Sequence, residues 1–245
     1  MRYGFIIPGG DVRTIAELAY EAEAAGWDGV FIPDCICIVN ENDPNSVMPG
    51  FDPWVTLAAM AMRTERVLLG TMLTPVSRRR PWKLAREVAT LDQLSNGRMI
   101  LPVGLGALED VGFTRVGEAI DRKVRAQLLD EGLAILAGLL SGRPFSFSGE
   151  HYQIQEMTFL PPPVQSPRIP IWVVGAWPRM KSISSPALRS GPGVLISPQR
   201  AAIRWEPCST RCVVRRYAES TLSSTTTSTS LIGRERSMTT RGKLR

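Results

Sequence analysis

A short apolar run, a turn marked by glycine or proline, and a stretch with apolar residues at helical spacing follow one another four times before residue 141. That repetition restricts the fold, because parallel strands need a crossover of a dozen residues or more and a helix usually supplies it. Tyr3–Ile7 reads as a first buried strand stopped by Pro8-Gly9-Gly10. Val12–Ala25 reads as its helix, with Ile15, Leu18, Ala19 and Ala22 on one face and Gly26 where a C-terminal cap sits. Gly29–Ile32, ended by Pro33, is a second strand. After a polar loop, Asp52 caps a helix that has Pro53 at its first position and runs to about Arg63. Val67–Leu73 with Pro81–Leu94, then Met99–Val103 with a longer helix over Ile120–Leu140, complete the series. Phe145–Phe147 and His151–Ile154, either side of Ser148-Gly149-Glu150, predict a hairpin, and Ile171–Val174 predicts a further strand ending at Gly175. The prediction is an α/β fold of parallel βα units; period alone leaves open whether the sheet is doubly wound or closed as a barrel.

The 245 residues are 44% hydrophobic, enough for a sizeable core in one α/β barrel or two smaller domains. Four cysteines in this length exclude a disulfide-stapled scaffold, and the single histidine, His151, excludes His-rich metal sites and two-His relays. The N-terminus enters a strand without the long apolar core of a signal peptide, and no apolar run reaches the roughly 18 residues of a membrane span, so the expected location is cytoplasmic.

The net charge of +6 divides unevenly. Residues 1–180 carry 17 Lys+Arg against 20 Asp+Glu, whereas residues 181–245 carry 12 against 3. The body is mildly acidic, as for a small-molecule enzyme, and the whole basic excess lies in a Ser/Thr/Arg-rich terminus. Such a composition cannot offset an ordering entropy of roughly 1–2 kcal/mol per residue and is expected to be disordered. A nucleic-acid arm is the weakest reading of it, because no aromatic residues interleave the arginines.

In either parallel architecture ligands bind at the carboxyl ends of the strands. Those positions are Pro8-Gly9-Gly10, Pro33-Asp34-Cys35, Thr71 to Pro75, Gly104-Leu105-Gly106 and Gly175-Ala176-Trp177. Small residues let backbone N–H groups approach a planar ring or a phosphate, although tight turns need glycine anyway. Glu109 stands where a dinucleotide fingerprint needs its third glycine, and neither a phosphate-binding loop nor a Gly-x-Ser-x-Gly elbow occurs. Cys35 and Cys37 are too close for the usual zinc spacing, so no metal site is expected. Asp34 directly follows a strand and reads equally as a catalytic orienter and as a loop cap. Arg78, Arg79 and Arg80 could meet an anionic cofactor tail, but a solvated charge run is the commoner meaning.

Several of these stretches together resemble the bacterial luciferase-like family of flavin- or deazaflavin-dependent oxidoreductases. They are Gly26-Trp27-Asp28-Gly29-Val30-Phe31-Ile32-Pro33-Asp34, Asp52-Pro53-Trp54, Leu69 through Pro75, Ala89 through Arg98, and Pro161-Pro162-Pro163-Val164-Gln165, in the family's order over residues 1 to about 180. The resemblance implies a TIM-type (β/α)8 barrel with an insertion before the fifth strand, covering the predicted hairpin near 144–170. It implies FMN, or the deazaflavin coenzyme F420, at the carboxyl face: monooxygenation with oxygen in the first case, hydride transfer in the second, on a small organic substrate. Carried over, the family's cis non-proline bond ending the third strand would be Met72–Leu73. Thr71, Met72, Leu73, Gly104, Gly106, Gly175 and Ala176 would lie against the cofactor, with Asp34 as polar orienter.

Three departures stand out. Cys35 follows Asp34 where the family often has histidine, which removes His-assisted chemistry. Pro102 stands in the fourth strand in place of glycine and should disturb one strand pair. Beyond Ser184 the later strands of the family are not recognisable, as a shifted reading frame would give. The expected organisation is therefore a barrel portion over 1–184, with five or six strands and two unpaired edges, and a non-family tail over 185–245. Two readings follow: an oxidoreductase, with a homodimer left open by the resemblance, or a non-catalytic truncated barrel without a competent cofactor site.

Overall fold

The computed structural model describes residues 2–40, 43–107, 110–175, 193–195 and 202–205. The chain divides into units of residues 1–214 and 215–245, and every described residue lies in the first. Its strands are β1 (Arg2–Ile6), β2 (Gly29–Ile32), β3 (Ile38–Asn40), β4 (Asp43–Met48), β5 (Leu68–Thr71), β6 (Thr74–Pro75), β7 (Leu101–Gly104), β8 (Phe145–Ser148), β9 (Gln153–Met157), β10 (Ile171–Gly175), β11 (Gly193–Leu195) and β12 (Ala202–Trp205). The helices are α1 (Val12–Ala24), α2 (Pro53–Arg63), α3 (Pro81–Leu94), α4 (Val111–Thr114) and α5 (Arg122–Leu139), with a 3-10 turn at Val76–Arg78.

The parallel strands run side by side in the order β1, β2, β5 and then β6, β7, β10, β11. The two runs meet at the Leu69–Met99 bridge, so β5 and β6 are the two halves of one third strand. Six parallel strands of a barrel-type sheet are therefore present among the described residues. β12 pairs antiparallel with β1, and the outer edges of β11 and β12 have no strand partner among the described residues. β8 and β9 form the hairpin that the sequence predicts. The polar loop expected after β2 is instead a second hairpin, β3–β4.

Local chemistry accounts for the helix starts. Asp11, Asp52, Asp110 and Asp121 each cap a helix by accepting backbone N–H bonds from its first turn, the arrangement that satisfies otherwise orphaned donors. Apolar residues then alternate between the two faces of the sheet. Val30, Ile32, Leu69, Leu101, Val103 and Ile171 join the large core with helix residues such as Leu57, Leu84 and Leu136. Each such side chain contributes about 1.5–3 kcal/mol on burial. The alternate residues Phe31, Ile100 and Trp172 form a second cluster, with Ile6, Leu68, Met72 and Val174 against it. The Phe31 and Trp172 rings lie 5.7 Å apart although β5 and β7 separate their strands. The sheet is thus curved enough to pack across its own inner face.

Pro102 breaks one strand pair, as its chemistry requires. Ile100 N–H donates to Leu69 O at 2.8 Å, and the next donor on that side would belong to residue 102. Proline has none, and pairing resumes only at Thr74–Val103. Gly70 accommodates the proline: a Cβ there would stand 2.5 Å from Ile100 O and 3.2 Å from Pro102 Cδ.

Candidate active site

The five carboxyl-end turns picked out from sequence follow neighbouring strands, and side chains tie their ends together. Met72–Leu73 is a cis peptide in the break between β5 and β6. Leu73 packs over β7, since a Cβ on Gly104 would lie 2.9 Å from Leu73 Cδ2 and 3.1 Å from Val174 O on β10. Gly106, at φ +77°, faces Phe113 and Pro75 at 2.9 and 3.3 Å in the same sense. Gly106 takes a backbone conformation that favours glycine, and a side chain at 104 would press on Leu73 and Val174 O, so the third, fourth and fifth strand ends approach closely. Thr71 and Thr74 are buried and hydrogen-bond to each other, Oγ1 to Oγ1, at 2.6 Å. Gly175 ends β10, and Ala176 lies outside the described residues.

Between the ends of β1 and β2 is a cleft lined by Pro8, Gly9, Gly10, Cys35, Phe51 and Thr56, among others. Its free volume of about 30 Å³ holds roughly one water. Gly9 faces open space, with no atom within 4 Å of where its Cβ would be. Cys35 and Cys37 are free thiols. Burial, reinforced by the Asp110 carboxylate, raises the Cys35 pKa above its ordinary value, so the thiol stays protonated at neutral pH.

Asp34 is buried at the end of β2, and its carboxylate is engaged. Arg79 grips it with two hydrogen bonds, Nε to Oδ2 at 3.0 Å and Nη2 to Oδ1 at 2.7 Å. Arg78 donates to the Asp34 backbone oxygen at 2.7 Å and to Oδ1 at 3.3 Å, and pairs with Asp110 at 2.7 Å. The charge run expected to be solvated is therefore split: the Arg78 side chain is 2% exposed and Arg79 19%, and only Arg80 is an exposed residue. The network continues through α4. Arg78 stacks on Phe113 at 5.1 Å, and Phe113 wedges against Gly106. Asp34, Arg78, Asp110 and Phe113 thus link the ends of the second, third and fourth strands. Both carboxylate oxygens of Asp34 are held by arginines, which ties this face together. No local pattern announces this linkage, since Arg78 and Asp34 are 44 positions apart.

The motifs that carried the family resemblance do different work. Asp92 accepts N–H bonds from Val164 and Gln165 and a bond from the Gln165 amide. Arg98 donates to the carbonyls of Ala61, Thr64, Val67 and Ser95. Glu23 accepts from the N–H groups of Glu65, Arg66 and Val67. These anchors fix the loops entering the strands, the end of such a sheet that serves stability. His151 donates its backbone N–H to Glu131 at the hairpin turn. Among the described residues there is no metal-binding cluster and no helix long and apolar enough to cross a membrane. Cys208, Cys212 and the basic segment from Glu206 onward lie outside the described residues.

Parallel βα units with small residues and a buried ionic network at their carboxyl ends define a barrel-type α/β scaffold. The chain belongs to the luciferase-like monooxygenase family, whose sequence model matches residues 4–206. It is 34% identical over 166 residues to an F420-dependent glucose-6-phosphate dehydrogenase of Nakamurella multipartita, covering 67% of this chain and 47% of that protein. An F420-dependent glucose-6-phosphate dehydrogenase of Amycolatopsis mediterranei is 31% identical over 187 residues, covering 75% and 53%. Among solved structures, an F420-dependent secondary alcohol dehydrogenase in complex with an F420-acetone adduct superposes with a TM-score of 0.62 at 23% identity, over 72% of this chain and 53% of that one. The chain spans about half the length of the curated relatives it matches. The family match runs past residue 184, where the resemblance in the sequence fades, and takes in β11 and β12.

Proposed function

We propose that this chain is the barrel portion of a luciferase-like oxidoreductase whose carboxyl-end turns take a deazaflavin of the F420 type in preference to FMN. The observation that carries the reading is the convergence of Leu73, Gly104 and Val174, where three neighbouring strands close on one another at the end where such scaffolds bind ligands. The names of the two relatives described above, both F420-dependent glucose-6-phosphate dehydrogenases, favour the deazaflavin. The residues present fit such a group. Gly9 faces open space, Gly104 and Gly106 let the neighbouring strand ends close on one another, and Met72 and Leu73 supply apolar side chains beside them. A deazaflavin, when bound, exchanges a hydride with an alcohol, imine or alkene.

This chain's own part is to orient the ring and exclude water. Thr71, Met72, Leu73, Gly104, Gly106, Gly175 and Ala176 form the binding surface in this reading. Asp34 is a positioning residue held by Arg78 and Arg79, and the protonated Cys35 supplies no base. The barrel portion takes in residues 1–184 and continues through β11 and β12, and the basic tail follows them. The substrate is a small hydroxylated molecule, and the setting is cytoplasmic. Incubation with oxidised F420 and a panel of secondary alcohols and sugar phosphates, followed by loss of the coenzyme's visible absorbance, tests the reading. Turnover of one class supports it.

The second reading is a barrel portion without catalysis. It is favoured by the coverage of only about half of each relative and by two sheet edges without strand partners among the described residues. A cooperative melt without turnover or binding of either cofactor is the result that selects it.

A further inference from the structure

The turn that leaves β2 carries two free thiols, Cys35 and Cys37, on either side of Ile36. Both cysteines are half-buried, whereas Ile36 is 56% exposed, and the chain bends at Ile36 just before β3 begins. Residues i and i+2 of such a segment share a side, so the two sulfurs lie together on the side away from Ile36. Even in a straight chain their α-carbons would stand at most about 7 Å apart, and the bend brings them into the roughly 4.4–6.8 Å range that a disulfide spans. Each thiol also feels the charge of the other. Cys35 lines the cleft between the ends of β1 and β2, beside Gly9 and Phe51, so the pair borders the site without being sealed in the core.

We propose that Cys35 and Cys37 form a reversible oxidation site, which closes to a disulfide across Ile36 at the expense of a low-molecular-weight disulfide. The surroundings set the order of attack. Burial and the Asp110 and Asp34 carboxylates keep Cys35 protonated, so Cys37 reacts first. Its thiolate attacks one sulfur of the reagent, the reagent's S–S bond breaks, and one thiol leaves. Cys35 then attacks the Cys37 sulfur and passes its proton to the second departing thiol. Two protein thiols are oxidised to one disulfide, and the reagent disulfide is reduced to two thiols. A ring closed over one intervening residue is tight, and strained disulfides are the ones most readily reopened. So short a loop gains little stability from closure, which makes the bond a reversible mark and not a structural staple. Its effect falls on the cleft: closure takes the Cys35 S–H from the cleft wall and ties the entry to β3 back to Asp34, whose backbone oxygen and carboxylate Arg78 holds.

Treatment of the full chain with oxidised glutathione, quenching by alkylation and peptide mass spectrometry test the proposal. Tryptic peptide 14–63 holds both thiols and no other cysteine. It is expected to lose the mass of two hydrogens, to resist alkylation at both positions, and to regain both thiols on reduction with dithiothreitol. In Cys35→Ser the reaction should stop with one glutathione on Cys37. In Cys37→Ser the remaining Cys35 should be modified several-fold more slowly than Cys37 is in Cys35→Ser. Circular dichroism melts show that each variant is folded, and Cys35→Ala repeats the stalled reaction in a second background. Two glutathiones retained on the wild-type peptide, or two thiols left free, overturn the proposal. A bond from either cysteine to Cys208, to Cys212 or to another chain overturns it as well. So does closure that is no faster in the folded chain than in the same chain unfolded in guanidinium, since the bend at Ile36 would then contribute nothing.

Discussion

Replacing Arg78 by methionine removes three bonds at once: 2.7 Å to Asp110, 2.7 Å to the Asp34 carbonyl and 3.3 Å to Asp34 Oδ1. Truncating one partner of a buried ion pair costs about 3–5 kcal/mol, because the charge left behind is neither hydrated nor matched. Here Arg79 keeps its two bonds to Asp34, and methionine retains the contact with Phe113, so the lower end applies, about 3 kcal/mol. Arg79→Met should cost less, about 1–2 kcal/mol, since Arg79 is partly exposed and Arg78 still faces the carboxylate. Arg80→Met, at an exposed residue, should stay within about 0.5 kcal/mol. Three consecutive arginines thus have three different costs. Urea unfolding followed by tryptophan fluorescence and far-ultraviolet circular dichroism measures them. Equal small losses at all three positions would refute the network and restore the solvated charge run.

Other outcomes follow from the same geometry. Gly70→Ala places a Cβ 2.5 Å from Ile100 O, a backbone atom that cannot swing aside, so it should cost about 2–4 kcal/mol in the same unfolding assay. Glu23→Gln should lower stability by about 1.5–3 kcal/mol near neutral pH. Burial works to raise the Glu23 pKa, but the N–H groups of Val67, Arg66 and Glu65 outweigh it and hold the carboxyl below its ordinary value. Its contribution is therefore present above the unfolded-state pKa and lost as pH falls through the folded value, so the two proteins should converge in acid melts once the pH is below the ordinary carboxylate range. In a Cys37→Ser background, Cys35 should react with a thiol reagent more slowly than a free cysteine at pH 8, with its rate rising only above the ordinary thiol range. A fast reaction at neutral pH would contradict its burial.

Elements with strong periodicity and clear stops were legible in advance. α1 lies between Asp11 and Gly26 as its cap and turn residues require, and α2 starts at Pro53 behind Asp52. The consequence of Pro102 was legible because a missing donor has one local effect. The β3–β4 hairpin was not, since Asn40, Asp43, Pro44 and Asn45 are turn formers and their pairing depends on the partner strand. The site was legible as positions and not as chemistry. Glycines at strand ends announce close approach, whereas the engagement of Asp34 depends on arginines that only the third βα unit brings into place. The family motif Leu91-Asp92-Gln93 was legible as identity, whereas its structural role was not, because Asp92 holds Val164 and Gln165, 72 and 73 positions away.

The central claim is that the carboxyl ends of these strands form a cofactor surface on this chain. Its most direct test is an equilibrium titration of the purified protein with F420 and, separately, with FMN, read by coenzyme fluorescence and calorimetry, with Gly104→Val alongside. The account predicts saturable micromolar binding of F420, weaker binding of FMN, and loss of both when a side chain at 104 displaces Leu73. Absence of binding to either by a protein that melts cooperatively, or binding undiminished by Gly104→Val, would contradict it.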